Sequence, residues 1–170
     1  LMMIAPEQDR RAKKGEMSSK HLLIGVVTLK PGLVGVSYDI GLDVTETVGD
    51  KDYLQLEEIY NAKMVATIGY TPIKVSTENG SLVPGDPITI SSIPGVGMKA
   101  NPGDKIVGYA FESFDPQNGK MGTHNIDLPT PIQEKPFHPL AKQLPDGKWQ
   151  GWVFGYVNLG YSQLESLELQ

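Results

Sequence analysis

Histidine and cysteine, which supply the nitrogen and sulfur ligands of most protein metal sites, are scarce in the chain. Its three histidines are His21, His124 and His138, and it has no cysteine. No two histidines have the H-x-x-x-H or H-E-x-x-H spacing that places two ligands on one helix face. His124 and His138 lie in one proline-rich segment and could meet in space, but we expect ordinary surface or packing roles for all three. No metal and no cofactor is predicted.

The hydroxyl side chains lack the context of a known catalytic motif. The chain contains no G-x-S-x-G, no P-loop and no G-x-G-x-x-G. Ser91, Ser92 and Thr77 can be named as nucleophiles, but no neighbouring pattern supplies a base to activate them. We expect no activity on small substrates, and the sequence identifies no catalytic residue.

Charged residues concentrate in two stretches. The basic stretch holds Arg10, Arg11, Lys13 and Lys14. It is typical of a loop tip, and it also fits pairing with the acidic stretch of a neighbouring subunit. The acidic stretch has no D-x-D-x-D-G spacing, so a solvated loop is favoured over a calcium site. Its members are Asp39, Asp43, Glu46, Asp50, Asp52, Glu57 and Glu58.

Two glycine–aspartate pairs precede apolar runs. They are Gly85-Asp86 and Gly103-Asp104. An aspartate at such a corner can accept backbone N–H groups and stabilise the turn. We therefore interpret Gly85, Asp86, Gly103 and Asp104 as turn-forming residues.

Aromatic residues alternate near the C-terminus. Trp152, Phe154 and Tyr156 are two residues apart, so they share one face of a predicted strand. Such a face packs in a core or in a subunit interface, or it forms a platform for a sugar ring. These three residues are candidate interface residues, and a surface glycan is a candidate ligand.

Frequent turn signals predict an all-β fold. The 170 residues include 19 glycines and 13 prolines, and Pro-Gly pairs favour type II turns. Between the turns, period-two patterning predicts strands near 22–28, 64–68, 73–77, 87–92, 105–112 and 151–157. At most one helix longer than six residues is expected, near 53–60. The predicted architecture is a compact barrel or a β-clip-like sandwich of short strands.

A weak internal echo suggests two similar halves. Residues 1–5 and 24–27 resemble residues 88–92 and 107–110, at an offset of about 83 to 87 residues. Each half would be strand, loop and strand, with glycine in the second strand. Chance similarity between hairpins is the alternative.

A proline-rich stretch separates the last strand from the others. Six of the 13 prolines lie between residues 116 and 145, and this density disfavours helix and interior strand. We predict one β domain from 1–115 and 149–158, an extended arm at 116–148, and a tail at 159–170. The arm's apolar residues are expected to dock on the domain itself or on a neighbouring subunit, with Ile132, Phe137 and Leu140 as candidate interface residues.

Composition excludes several classes of protein. The net charge is −5, which disfavours binding to nucleic acid. No apolar run approaches the roughly 20 residues of a membrane span. The apolar start at residues 1–5 reads as a strand entered partway, so we expect the chain to be a piece of a longer protein.

The central and closing strands together resemble a known group of domains. The segments are VATIGYTPIKVSTENG at 65–80, the turn at 84–86, SSIPGVGMKA at 91–100 and VGYAFE at 107–112. With 24–32 and 153–157, they are similar to β-rich domains near the C-termini of phage tail-fibre or appendage proteins and of long secreted bacterial repeat proteins. The resemblance covers about two thirds of the chain.

The resemblance implies a trimeric structural domain on a virion or extracellular surface, which promotes trimerisation or terminates a fibre. Some relatives are self-cleaving intramolecular chaperones of the peptidase G2 type, and an autoproteolytic domain is the alternative. A carbohydrate-binding module is a second alternative. The expected partners are further copies and other segments of the same fibre protein. The proline-rich arm departs from the short hairpin that is usual in this group.

Overall fold

The described part of the chain consists of strands and short turns. The computed structural model describes residues 1–7, 12–28, 65–122 and 141–163. Within these ranges no helix exceeds six residues, so the all-β prediction is confirmed. The elements are β1 (Met2–Ile4), β2 (Ala12–Lys14), a 3₁₀ segment (Met17–Leu22), β3 (Leu23–Val27), β4 (Val65–Ala66), β5 (Ile68–Ser76), β6 (Pro87–Ile90), β7 (Gly97–Lys99), β8 (Lys105–Ala110), a 3₁₀ segment (Pro116–Asn118), β9 (Ala141–Gln143) and β10 (Trp149–Tyr161).

The strands form two sheets. One has the order β2-β1-β3-β4, and the other has the order β5-β7-β6-β8-β10-β9. In the second sheet β10 also pairs with β5, so the series of paired strands that begins at β5 leads back to β5. The link between β5 and β7 is the single parallel pair Val75–Gly97, whereas the other pairings are antiparallel.

The same strand order occurs in both halves of the described chain. The order β2-β1-β3-β4 in the first sheet corresponds to β7-β6-β8-β10 in the second. In the first half Gly25 pairs with Met2, and in the second Gly108 pairs with Ile88. The similar sequence segments of the two halves therefore form strands that have equivalent neighbours in the two sheets.

Some predicted boundaries differ from the observed strands. The segments predicted near 64–68 and 73–77 belong to β4 and to the nine-residue β5, which runs through Pro72. Proline is compatible with this position because, among the described strands, only β10 pairs with β5 there. The other edge of β5 makes no strand hydrogen bond at Pro72, so the N–H that proline lacks is not needed. The basic stretch predicted as a loop contributes Lys13 and Lys14 to β2. The helix predicted near 53–60 lies outside the described residues.

The end of the predicted arm is part of the second sheet. β9 pairs with the first three residues of β10, and Gly147 N–H donates to the Leu144 carbonyl in the connecting turn. The last strand also continues past the predicted tail boundary at 159, to Tyr161. Strand pairing therefore extends into both segments. β9, in the predicted arm, pairs with β10, and the end of β10, in the predicted tail, pairs with β8.

The core lies between the two sheets. Leu23 and Val26 of β3 are buried with Ile73, Val107 and Val153 of the second sheet. The inward side chains of β5 and β10 alternate with outward ones, as the strand pleat requires. This alternation determines which side chains of β10 remain available for other roles.

Two glycines allow neighbouring strands to approach closely. Gly25 has φ +155° and Gly108 has φ +159°. A Cβ atom at Gly25 would lie 2.2 Å from the Ala66 carbonyl oxygen, and one at Gly108 would lie 2.1 Å from the Tyr156 carbonyl oxygen. Only glycine avoids these overlaps, which explains why each half has a glycine in the equivalent strand.

Two Pro-Gly-Asp turns share one hydrogen-bond pattern. Asp86 N–H donates to the Val83 carbonyl at 3.0 Å, and the Asp86 carboxylate accepts Val83 N–H at 2.9 Å. Asp104 N–H donates to the Asn101 carbonyl at 3.1 Å, and the Asp104 carboxylate accepts Asn101 N–H at 3.0 Å. Each aspartate thus closes its turn twice, through backbone and side chain.

A lysine completes each of these turns. Lys99 Nζ lies 2.9 Å from the Asp86 carboxylate, and Lys20 Nζ donates to that of Asp104. Burial raises the pKa of the Asp104 carboxyl, but the hydrogen bonds from Lys20 and Asn101 outweigh it and leave that pKa below its ordinary value.

Replacing Gly108 should disrupt the contact between β8 and β10. We expect Gly108→Ala to lower the free energy of unfolding by at least about 3 kcal/mol, because the added Cβ meets backbone rather than a movable side chain. Gly160→Ala is the matched control, since no atom lies within 4 Å of a Cβ at that position of β10. Equal urea midpoints for the two variants would contradict this account.

The Asp104 turn should make stability depend on pH. A lowered pKa means that the carboxylate's contribution is present above the ordinary value of 3.8 and is lost as the pH falls through the folded-state pKa. We expect Asp104→Asn to lower the free energy of unfolding by about 1 kcal/mol at neutral pH. The difference from wild type should shrink near pH 3 in urea titrations. A difference that stays constant with pH would rule out the charge as its cause.

Candidate functional site

Aromatic side chains gather on the outer surface of β5, β10 and the end of β8. Tyr156 of β10 is directly opposite Tyr70 on one side and Tyr109 on the other. Residues in direct register point to the same face of a sheet. Phe111 extends this ladder because its N–H donates to the Phe154 carbonyl at 2.8 Å. We call this surface the aromatic face; it comprises Tyr70, Tyr109, Phe111, Trp152, Phe154 and Tyr156.

Four rings of the aromatic face contact one another. The Tyr70 ring lies 5.3 Å from Phe111, 6.0 Å from Phe154 and 5.0 Å from Tyr156, measured between centroids. Phe111 and Phe154 are 6.4 Å apart. The interplanar angles are 73° for Tyr70–Phe111, 10° for Tyr70–Phe154 and 50° for Tyr70–Tyr156. The rings therefore form a mutually packed cluster of mixed tilt, not a coplanar platform.

The cluster is packed within itself yet open to solvent. Tyr70 is 59% exposed, Phe111 is 60% exposed and Phe154 is 38% exposed. Ile68, at 69% exposure, extends the apolar surface at the start of β5. Scattered exposed apolar residues are ordinary, whereas a contiguous apolar group on one face marks an interaction site.

The strand backbone holds the aromatic face firmly. Nine successive residues of β10 pair with β5 from Gln150 to Asn158. Beneath the rings Ile73, Val153 and Val157 are fully buried. Gly155 lies between Phe154 and Tyr156, and a Cβ there would be 2.5 Å from Ile73 Cδ1. The rings are thus presented on a closely packed support.

Trp152 lies at one end of the aromatic face and has a different neighbour. It is opposite Lys74, whose Nζ is 5.8 Å from the centroid of the indole ring. That distance falls within the range of a cation–π interaction. Trp149 has the opposite parity in β10 and packs against the core, and its buried indole N–H has no hydrogen-bond partner among the described residues.

The described hydroxyl and histidine residues have structural contacts. Ser92 Oγ donates to the Glu78 carboxylate at 2.7 Å, and Thr77 Oγ accepts Trp149 N–H at 2.9 Å. Ser91 Oγ accepts Ile93 N–H at 3.2 Å. The His21 carbonyl accepts Lys105 Nζ at 2.7 Å. These contacts connect turns and strands, and the pair Ser92–Glu78 is the one among them that joins a hydroxyl to a carboxylate.

The described ranges contain no candidate metal-binding site. No group of three or more histidine, cysteine, aspartate or glutamate side chains there could hold an ion. His124 and His138 lie outside those ranges, as does the acidic stretch at 39–58. Among the helices that the structure describes, none is long and apolar enough to cross a membrane.

The structure brings together only part of the predicted interface. Phe154 and Tyr156 lie in the ring cluster, and Trp152 lies at its edge. Ile132, Phe137 and Leu140 are outside the described residues. Sequence reasoning missed Tyr70, Tyr109 and Phe111, although Tyr70 follows the same alternation in β5. Their inclusion depends on the pairing register, which no local pattern encodes.

The comparisons with known proteins identify no relative. No family model, no curated protein and no solved structure matches this chain.

The exposed rings should contribute little to folding. We expect Tyr70→Ser to lower the free energy of unfolding by about 1 kcal/mol, since it removes ring–ring contacts at a solvated surface. Ile73→Ala, at a fully buried position of the same strand, should cost about 2–5 kcal/mol. Urea unfolding of both variants measures the contrast. A loss for Tyr70→Ser that equals the loss for Ile73→Ala would place the ring cluster in the core.

Proposed function

We propose that this chain is a structural assembly domain of a fibrous appendage or surface protein, in which the aromatic face packs against another copy of the chain. The observation that carries the proposal is the cluster of Tyr70, Phe111, Phe154 and Tyr156 on paired strands, in which Tyr70, Phe111 and Phe154 are exposed to solvent. Covering such a face removes apolar surface from water, and each fully buried aromatic side chain contributes about 1.5–3 kcal/mol. The assembly would promote trimerisation or terminate a fibre.

The tilt of the rings favours a protein partner over a sugar. A pyranose stacks on an accessible, flat ring face. In this cluster the Phe154 ring stacks at 10° on Tyr70, and the Phe111 ring meets Tyr70 edge-on. These rings direct their faces and edges toward each other, which leaves an irregular apolar surface that suits side chains of a protein.

A rigid support favours tight association. The aromatic rings stand on paired strands, so little backbone freedom is lost when the face is covered. Aromatic residues are also enriched at the centres of protein interfaces, where they supply most of the binding energy. Most soluble oligomers are assembled from identical chains, so another copy is the partner that we propose.

The fibre context and the number of chains rest on the sequence resemblance. Three copies and an extracellular or virion-surface location are what the tail-fibre and appendage domains imply. Autoproteolysis is the other activity that this resemblance implies, and the proposal does not include it.

The mass in solution tests the proposal. Sedimentation equilibrium at micromolar concentration should give a multiple of 18.5 kDa, with three chains expected. The double variant Tyr70→Ser/Phe111→Ser should shift the protein to the mass of one chain while its circular dichroism stays unchanged. Tyr161→Ser is the matched control, since Tyr161 is 67% exposed but lies beyond the ring cluster.

Two results would contradict the proposal. A mass of 18.5 kDa for the wild type at every concentration would exclude self-assembly of this chain. Equal loss of association in Tyr161→Ser and in the double variant would place the interface elsewhere.

A further inference from the structure

Two lysines adjoin the Trp152 end of the aromatic face. Lys74 of β5 is opposite Trp152, and Lys142 of β9 is opposite Gln150, two residues earlier in β10. Both lysines therefore stand on the outer side of the sheet, on opposite flanks of β10. Lys14 belongs to the other sheet, at the end of β2, and its charge acts on Lys74. We call Lys14, Lys74 and Lys142 the lysine cluster.

The lysine cluster has no compensating carboxylate in the described part of the chain. Lys13 pairs with Glu7 and Glu16, Lys20 with Asp104 and Lys99 with Asp86, whereas Lys105, Lys120 and Lys148 resemble the cluster in forming no ion pair within the described ranges. No ion pair forms at Lys14, Lys74 or Lys142 within the described ranges.

The charges of the cluster act on one another. Burial, followed by the positive charges of Lys142 and Lys14, lowers the pKa of Lys74. Like charges that lie close together without counterions repel and destabilise the surface that carries them. A carboxylate placed among them would remove this repulsion and would form charge-assisted hydrogen bonds.

We infer that the lysine cluster binds carboxylates on a different surface of a neighbouring copy, and so fixes the orientation of the aromatic-face interface. The inference rests on the proposed function. Its support is the continuity of the cluster with the aromatic face, through the pair Lys74–Trp152, and charge complementarity. The chain has 20 acidic and 15 basic residues, so a second copy offers an excess of carboxylates.

The cluster favours a ring over a two-fold dimer. In a two-fold dimer the aromatic faces of the two copies contact each other. The lysine end of one copy would therefore contact either the lysine end or the opposite end of the other copy's aromatic face. The described pair at that opposite end is Ile68 and Asn158, and neither residue supplies a carboxylate. Glu112, which follows Phe111, accepts Phe154 N–H at 2.6 Å. A head-to-tail contact avoids lysine–lysine repulsion, and repetition of such a contact closes into a ring.

Charge reversal tests the inference. The double variant Lys74→Glu/Lys142→Glu should raise the concentration needed for half-association at least about tenfold. Lys120→Glu/Lys148→Glu is the matched control, because both lysines are exposed and the change in net charge is the same. Wild-type association should weaken between roughly 0.05 and 0.5 M NaCl, as expected for interfacial ion pairs.

Each outcome separates this inference from the proposed function. If the two charge variants associate equally, the lysine inference is wrong, while loss of association in Tyr70→Ser/Phe111→Ser still supports the aromatic interface. A wild-type mass of exactly two chains that stays constant with concentration would overturn the head-to-tail arrangement alone. A wild type of one chain throughout would overturn both.

Discussion

The close approach of β8, β10 and β5 is the constraint on which the rest of the structure depends. Gly108 faces the Tyr156 carbonyl, and Gly155 faces the Ile73 side chain, and both distances are too short to accommodate a Cβ atom on the glycine. Because these strands lie so close, the inward valines of β10 are fully buried. The same closeness brings rings from three strands into contact on the outer side. One backbone arrangement thus produces both the core and the aromatic face.

The two sides of β10 serve different purposes. Its inward residues bury apolar surface against β3 and contribute stability. Its outward residues leave apolar rings in contact with water. Phe154 and Tyr156 lie there beside Tyr70, and contact with another molecule is the role that we propose for this exposed group.

Charge is divided in a similar way. Asp86 and Asp104 close turns within the chain, and each takes a lysine as its partner. The Glu78 carboxylate likewise accepts the N–H and hydroxyl of Ser92. These three carboxylates thus stabilise local structure, whereas Lys74 and Lys142 have no counterion among the described residues. This asymmetry gives the aromatic face a positive end in a chain whose net charge is negative.

Local chemistry by itself determined the strands and turns of this protein. Proline and glycine restrict backbone angles at the position where they occur, so Pro84-Gly85 and Pro102-Gly103 predict turns without knowledge of the fold. Period-two alternation likewise predicts that Trp152, Phe154 and Tyr156 share a face. Register and closure depend on contacts between distant residues, and only the tertiary structure decided them. Tyr70 and Phe111 join the face because β10 pairs with β5 and because the end of β8 continues along it, and Lys74 and Lys142 flank β10 because β5 and β9 both pair with it.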